Sequence, residues 1–245
     1  MKTIKTIMVL AALLLLTPCT TNAQEQESFI MNITEFTVKF GQDHNFTDGV
    51  KKWKKCYQDN NGTNKWNVWH RLQGKGNVYV VAGNMANWAE MSKEDPASKS
   101  CSAIALESIT PFIESTDFNT TRFIPGISRN APFGDATIIW VTNFIVHDDF
   151  TFNEIISEVT TAIASKEGDK RGYWYRVMGG ETSDYFVTTP FKDFAAMDVE
   201  TDNVWKVFES VHGEKKTKET RKKFRESVED IWSYTFMLES ELSLK

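Results

Sequence analysis

Two stretches of this chain carry nearly the same message. "WHRLQGKGNVYVVAGNMANWAEM" occupies 69–91, and "WYRVMGGETSDYFVTTPFKDFAAM" occupies 174–197. Trp69 aligns with Trp174, Arg71 with Arg176 and Gly74 with Gly179, each at an offset of 105. After a slip of one residue, Tyr79 aligns with Tyr185, Trp88 with Phe194, Ala89 with Ala195 and Met91 with Met197. Upstream, "HNF" at 44–46 echoes "HDDF" at 147–150; downstream, "FIES" at 112–115 echoes "DIWS" at 230–233. The last offset is larger, so the second copy carries an insertion of roughly a dozen residues near 199–221. Two copies at nearly constant spacing mean one supersecondary unit used twice.

Hydrophobic periodicity gives both copies the same order of elements. In the first, Phe36, Val38 and Phe40 alternate with polar residues and predict a strand. Phe46, Val50, Trp53 and Tyr57 follow at helical spacing, and the turn residues of 59–64 end that helix. Alternation through Trp66, Val68, His70 and Leu72 predicts a second strand, and "GKGN" turns the chain into a third at 78–82. Asp95 and Pro96 open a further helix along Cys101, Ile104, Ala105, Ser108 and Phe112, which Pro111 kinks or ends. An extended piece closes the copy at 118–124. In the second copy, 138–146 is a strand apolar on both faces. Thr151 to Glu154 reads as a capping box, and Phe152, Ile155, Ile156, Val159 and Ile163 form the helical stripe. Segments 173–178 and 184–188 pair as a hairpin. Helices at 203–212 and 216–232 precede a last strand at 234–242. Pro125, Gly126, Pro132 and Gly134 break regular structure in the linker.

The unit is therefore βαββαβ, the ferredoxin-like arrangement in which both helices cover one face of an antiparallel sheet. The other face must find a partner, and a second copy in the same chain supplies it. This predicts an α+β protein with tandem ferredoxin-like repeats at 28–126 and 135–245, closed into a pseudo-dimeric α/β barrel.

Element order, together with the "W-x-R-x-x-G … Y" echo, resembles the dimeric α/β-barrel superfamily in its fused tandem form, including its antibiotic-biosynthesis monooxygenase-like and NIPSNAP-like groups. The resemblance covers nearly all of the chain after its first segment. It implies a barrel whose interior holds small ligands, with chemistries ranging from cofactor-free oxygenation to haem handling. The Asn-Trp-His set of some monooxygenase-like members is not placed: Asn67, Trp69 and His70 are the right types, but Trp69 and His70 face opposite sides of one strand.

The first 23 residues read as a processing signal. Lys2 and Lys5 precede an unbroken apolar run at 7–16, too short for the about 20 residues that span a bilayer, and small residues follow near Ala23. The expectation is a signal peptide at 1–23, a secreted or periplasmic product and no membrane span after its removal. Of 3 Cys, the processed chain keeps Cys56 and Cys101. Export favours a disulfide between them; two buried free thiols are the alternative. Sequons stand at Asn32, Asn45, Asn61 and Asn119 and matter only in a glycosylating host. The net charge of -5 supplies no global basic field, so nucleic acid is not an expected partner.

Trp69 and Arg71 share one strand face, as do Trp174 and Arg176. Both pairs read either as an Arg-plus-indole lining for an anionic or aromatic ligand, or as arginines stacked on indoles at a sheet edge. His70 and Tyr175 take matching positions on the opposite faces. His44 and His147 match near the ends of the first strands, where an imidazole could ligate haem iron, act as a base or simply bond a loop backbone. The 4 His have no HxxH or HExxH spacing, so no metal site is expected. No nucleophile elbow, P-loop or dinucleotide glycine motif is present. The sequence names neither cofactor nor reaction. Its leading reading is an exported binder of a small hydrophobic or aromatic molecule in the cavity between the sheets. The alternative is a scaffold whose barrel is filled by its own side chains.

Overall fold

The computed structural model describes residues 27–245. The expected processing signal lies outside them. The first repeat runs β1 (Ile30–Val38), α1 (Asp43–Asp59), β2 (Asn67–Arg71), β3 (Asn77–Met85), α2 (Pro96–Ser100), α3 (Ser102–Ser108) and β4 (Ile113–Phe123). The second runs β5 (Ile138–Val146), α4 (Asp149–Glu167), β6 (Tyr173–Gly179), β7 (Tyr185–Phe191), α5 (Val204–Ser227) and β8 (Val228–Leu238). All eight strands close one antiparallel barrel in the order β1-β3-β2-β8-β5-β7-β6-β4. Each repeat contributes four neighbours in ferredoxin-like order. The seams are β2 against β8, where Trp69 faces Leu238, and β4 against β6, where Phe123 faces Tyr175. Closure removes the four sheet edges that two separate repeats would expose to aggregation.

Helices cover the outside. Phe152, Ile155, Ile156, Val159, Ala162 and Ile163 of α4 are buried. They pack on Phe144, Trp174 and Tyr185 of the sheet and on Val207 and Phe208 of α5. Burying each such side chain is worth about 1.5–3 kcal/mol, enough for a helix of modest propensity to be held by its apolar face. In the first repeat, Phe46 of α1 is buried against the sheet beside Val38, Val68 and Tyr79, and Tyr57 of the same helix is buried against Trp66. Gly49 lets α1 approach α3: a Cβ there would stand 1.8 Å from the Ser108 carbonyl oxygen. Cys56 of α1 and Cys101, between α2 and α3, form a disulfide with a Cα–Cα distance of 5.9 Å.

Several local expectations need correction. The first strand is Ile30–Val38, and Phe40 lies beyond it in solvent. The cap of α4 is Asp148, whose carboxylate accepts from the Thr151 amide at 3.0 Å, three residues before the expected capping box. The charged run does part into two helical segments, as expected, at Gly213 (φ 79) within α5; the second segment, however, stops at Ser227 rather than 232, and the chain is already extended from Val228 onward.

The repeat register also differs. β3 and β7 meet their hairpin partners at the same step, His70 opposite Tyr79 and Arg176 opposite Tyr185. Both tyrosines donate to the carboxylate that opens the helix preceding their hairpin: Tyr79 to Asp43 of α1 and Tyr185 to Asp149 of α4, each at 2.5 Å. Asp43 with Asp149, Phe46 with Phe152, His70 with Arg176 and Tyr79 with Tyr185 are thus equivalent, all at one spacing of 106 with no slip. Trp69 corresponds to Tyr175, not to Trp174. The HNF–HDDF match fails with it, since Phe150 is exposed where Phe46 is buried.

Candidate functional site

Side chains alternate across each strand, so every second residue points into the barrel. β1 sends in Phe29, Met31, Ile33 and Glu35; β2 sends in Asn67, Trp69 and Arg71. β5 contributes Ile139, Val141 and Asn143, β6 Tyr173, Tyr175 and Val177, and β8 Trp232, Tyr234, Phe236 and Leu238. These side chains do not fill the interior. They leave a cavity of about 1280 Å³, larger than the roughly 300–1,000 Å³ of ordinary small-molecule sites.

The walls are rings. Tyr175 stacks on Phe186 at 4.8 Å, and Phe29 stacks on Phe123 at 4.9 Å. The linker adds Phe133, which enters the barrel beside Tyr173 at 5.3 Å and Trp69 at 6.1 Å. The loop that carries it is held from outside: the Asp169 carboxylate accepts from the amides of Asn130 and Ala131, and the Tyr173 hydroxyl donates to the Ala131 carbonyl at 2.6 Å.

A few polar groups interrupt the apolar wall. The Arg71 guanidinium lies over the Tyr234 ring at 4.6 Å, and its Nη2 donates to the Lys75 carbonyl. Its Nε is buried and has no hydrogen-bond partner among the described residues. Glu35 has no hydrogen bond or ion pair among them either. Burial pushes its carboxyl above the usual range; Arg71 opposes that shift and Asp117 adds to it. Burial, with Tyr173 nearby, pushes the Tyr175 phenol up, so it remains a hydroxyl donor.

The two halves of the lumen differ. Glu35, Val80 and Trp69 lie side by side across β1, β3 and β2, and the equivalent row of the second repeat is Asn143, Phe186 and Tyr175. One turn of alternation further on, Arg71 matches Val177. The two charged residues on inward-facing strand positions therefore sit in one half, while Glu27, Lys65 and Lys245 border the cavity from exposed positions.

The residues singled out in the sequence separate accordingly. Trp69, Arg71 and Tyr175 line the cavity. Trp174 and Arg176 do not, and the expected Trp–Arg pair of the second repeat is corrected. The Trp174 indole is buried under α4, 5.5 Å from Phe144 and 6.3 Å from Phe152. Arg176 reaches over Tyr185 at 5.7 Å and stands 3.6 Å from Asp149. His70 also faces the helix side, flat on Tyr79 at 4.4 Å, with Nε2 at 2.7 Å from the Asn77 amide oxygen. His44 and His147 lie at the surface, beside Asp48 at 3.3 Å and Glu229 at 3.9 Å. The sequon Asn119 is also in the cavity wall and buried, so its side chain offers no room for a glycan.

Glu35, Phe133, Tyr173 and Tyr234 were not anticipated. Glu35 had a readable signal: it continues the alternation of Met31 and Ile33 and is the one acid on that face. Phe133 had none, because a linker has no period.

The resemblance drawn from the sequence implies haem as one occupant of such a lumen. Iron requires an axial ligand, most often imidazole, thiolate or thioether. No histidine lines this cavity, and the only cysteines among the described residues are bonded to each other. The layer between α4 and the sheet is packed with Phe144, Phe152, Trp174 and Phe224. The residues present do not fit a histidine-held haem. Among the described residues no cluster of His, Cys, Asp and Glu is arranged to hold a metal ion, and no helix is long and apolar enough to cross a membrane.

Eight strands, two helical layers and a hollow interior define a class: the single-chain α/β barrel made from two ferredoxin-like halves. No known family profile and no curated protein matches the sequence. Among solved structures, a candidate monooxygenase from Lactobacillus acidophilus NCFM superimposes with a TM-score of 0.52 at 12% identity, covering 89% of this chain and 99% of that one. A candidate monooxygenase from Fusobacterium nucleatum gives 0.51 at 13% identity, covering 86% and 92%. A chlorite dismutase variant from Candidatus Nitrospira defluvii, in complex with cyanide, gives 0.50 at 10% identity, covering 88% and 92%. The fold is that of a dimeric α/β barrel whose two halves are fused in one chain.

Proposed function

We propose that the barrel lumen binds a small, ring-bearing organic molecule, one or a few fused rings in size. The observation that carries this reading is the cavity of about 1280 Å³ walled by aromatic side chains. Such walls stack on flat ligands and bury them from water at about 25 cal/mol per Å². A scaffold barrel would spend the same rings on filling its own interior. Among the chemistries that the sequence resemblance implies, cofactor-free oxygenation of the bound ring suits the lumen better than haem chemistry. It asks the protein to hold the ring and to handle a proton, and Glu35 and Tyr175 are the groups available for that. Native mass spectrometry of the protein from its own source tests the reading, by a co-purifying small molecule that a lumen-filling Val141→Trp variant no longer carries. Protein that arrives empty and takes up no polycyclic probe would overturn it.

The chain is also proposed to act outside the cytoplasm. The apolar leader at 1–23 and the Cys56–Cys101 bond support this, since disulfides persist in oxidising compartments. N-terminal sequencing of the protein from its native source is expected to begin close to Gln24. An intact Met1 in the cytosolic fraction would refute it.

A further inference from the structure

Arg71 is half-buried, with its Nη2 on the solvent side, but one of its N–H groups is sealed off without an acceptor, and such a buried donor is costly. Its Nη2 is used by the Lys75 carbonyl, its face by the Tyr234 ring, and its Nε is buried with no partner. Glu35 is the nearest acid on the lumen wall, but no oxygen of it comes within 4.0 Å of Arg71, and it has no hydrogen bond of its own. The second half of the barrel offers no substitute, since the equivalents of Glu35 and Arg71 are Asn143 and Val177.

Resting on the lumen-binding reading, we propose that the ligand is an aromatic monoanion, a carboxylate or a phenolate-type oxyanion. It binds once per chain, with its charged oxygen on Arg71, its rings among Trp69, Tyr175 and Phe186, and Glu35 beside it as a neutral hydrogen-bond donor.

Three features support this orientation. Glu27, Lys65 and Lys245 also border the cavity but are exposed; the charged residues on inward-facing strand positions, Glu35 and Arg71, share one half of the barrel, which gives the anion one place inside and the rings one direction. The donor set is right for an oxyanion: an N–H of Arg71 that nothing else uses, and a carboxylic acid beside it. Burial already favours the neutral form of Glu35, and an arriving anion favours it further. The charged groups that face Glu35 are Arg71 from β2 and Asp117 from β4, and Asp117 acts in the same direction as the ligand. Binding therefore takes up a proton whenever Glu35 is ionised in the free protein.

Anthracene-2-carboxylate and its neutral carboxamide separate this proposal from the reading beneath it. They share rings and shape and differ in charge. Titration calorimetry of the purified full chain is expected to give one site, with the carboxylate binding about tenfold or more tighter than the carboxamide at pH values where Glu35 is neutral and the probe is ionised. Carboxylate affinity should then fall as pH rises through the ionisation of Glu35, while the carboxamide is unaffected. Glu35→Gln keeps a donor that cannot ionise, and should keep the preference for the carboxylate while flattening the pH profile. Arg71→Gln should bring the carboxylate down to the level of the carboxamide. If both probes bind alike, or two molecules bind per chain, the anion site is wrong and lumen binding stands. If Glu35→Gln keeps the pH dependence of the parent, or strengthens carboxylate binding at the acidic end where Glu35 is already neutral, the role given to Glu35 fails. If neither probe binds, both readings fall. The comparison of probes on the unmodified protein decides the matter even where a variant does not fold.

Discussion

The hollow lumen makes a quantitative prediction about a matched pair of substitutions. Val141 lies on β5 and faces the cavity; Val159 lies on α4 and is sealed between that helix and α5. Val→Phe adds the same atoms at both. At Val159 the new ring meets Ile155, Ile163, Val207 and Phe208, all buried at 5% exposure or less. Overpacking a core of this kind costs about 1–3 kcal/mol, sometimes more, through forced rotamers and backbone shifts. At Val141 the ring enters a space of about 1280 Å³. Nothing need move, Phe is a good strand residue, and new contacts with the Tyr234 and Tyr175 walls offset the lost side-chain freedom. Val141→Phe should stay within about 0.5 kcal/mol of the parent, while Val159→Phe loses about 2 kcal/mol. For a chain of this size each kcal/mol moves Tm by about 2–4 °C, so the two variants should melt several degrees apart. Urea unfolding with equal m-values is the measurement. Equal losses at the two sites would mean that the barrel is closed by its own side chains in solution, and the ligand argument would end there.

Other predictions follow from the outer shell. The Cys56–Cys101 bond spans 45 residues, a loop whose closure restricts the unfolded chain by about 4 kcal/mol; reduced and oxidised protein compared by urea midpoint should differ by most of that, and a gap below about 1 kcal/mol would contradict it. Tyr79→Phe and Tyr185→Phe each remove a hydroxyl donor from a helix-start carboxylate and should each cost about 1–2 kcal/mol at pH 7, read by the same unfolding assay. Burial raises the Asp43 carboxyl, but the Tyr79 and Asn77 hydrogen bonds outweigh it and hold the group below its ordinary range. A depressed carboxyl contributes stability above the unfolded value near 4 and loses it as pH falls through the folded one. The gap between parent and Tyr79→Phe should therefore close on acidification below about pH 4, and a gap that persists unchanged to pH 2 would assign it to packing instead.

The barrel was legible because period and order survive in local sequence. Phe46, Val50, Trp53 and Tyr57 announce a helix whatever surrounds them, and two copies of βαββαβ leave two sheet faces that can only cover each other. Facing was harder. Matching Trp69 with Trp174 rested on residue type, and a shift of one residue along a strand exchanges inside for outside. The register is carried instead by pairs that span elements, Tyr79 with Asp43 and Tyr185 with Asp149. Each ties a hairpin to the start of a helix, and neither partner announces the other in sequence. The start of β8 at Val228 was hidden for a related reason: a run of lysines and glutamates reads as helix until tertiary pairing with β5 takes over. Phe133 could be placed only by closing the barrel around it.

Duplication also explains where the two halves diverged. Outer-layer positions are bound on both sides, by the sheet below and a helix above, so Phe46 and Phe152, or Asp43 and Asp149, have the same work to do. A lumen position is bound on one side only. Changing it alters the cavity wall without displacing a packed neighbour, and the row Glu35–Val80–Trp69 has become Asn143–Phe186–Tyr175 at little structural cost. A symmetric dimer could not use this freedom. It would present Glu35 and Arg71 twice, placing two carboxyls and two guanidinium groups in one apolar interior, each needing its own partner. Joining the halves in one chain permits a single charged corner in an otherwise aromatic chamber. That arrangement gives a flat anion one orientation in a barrel whose backbone alone would offer it two.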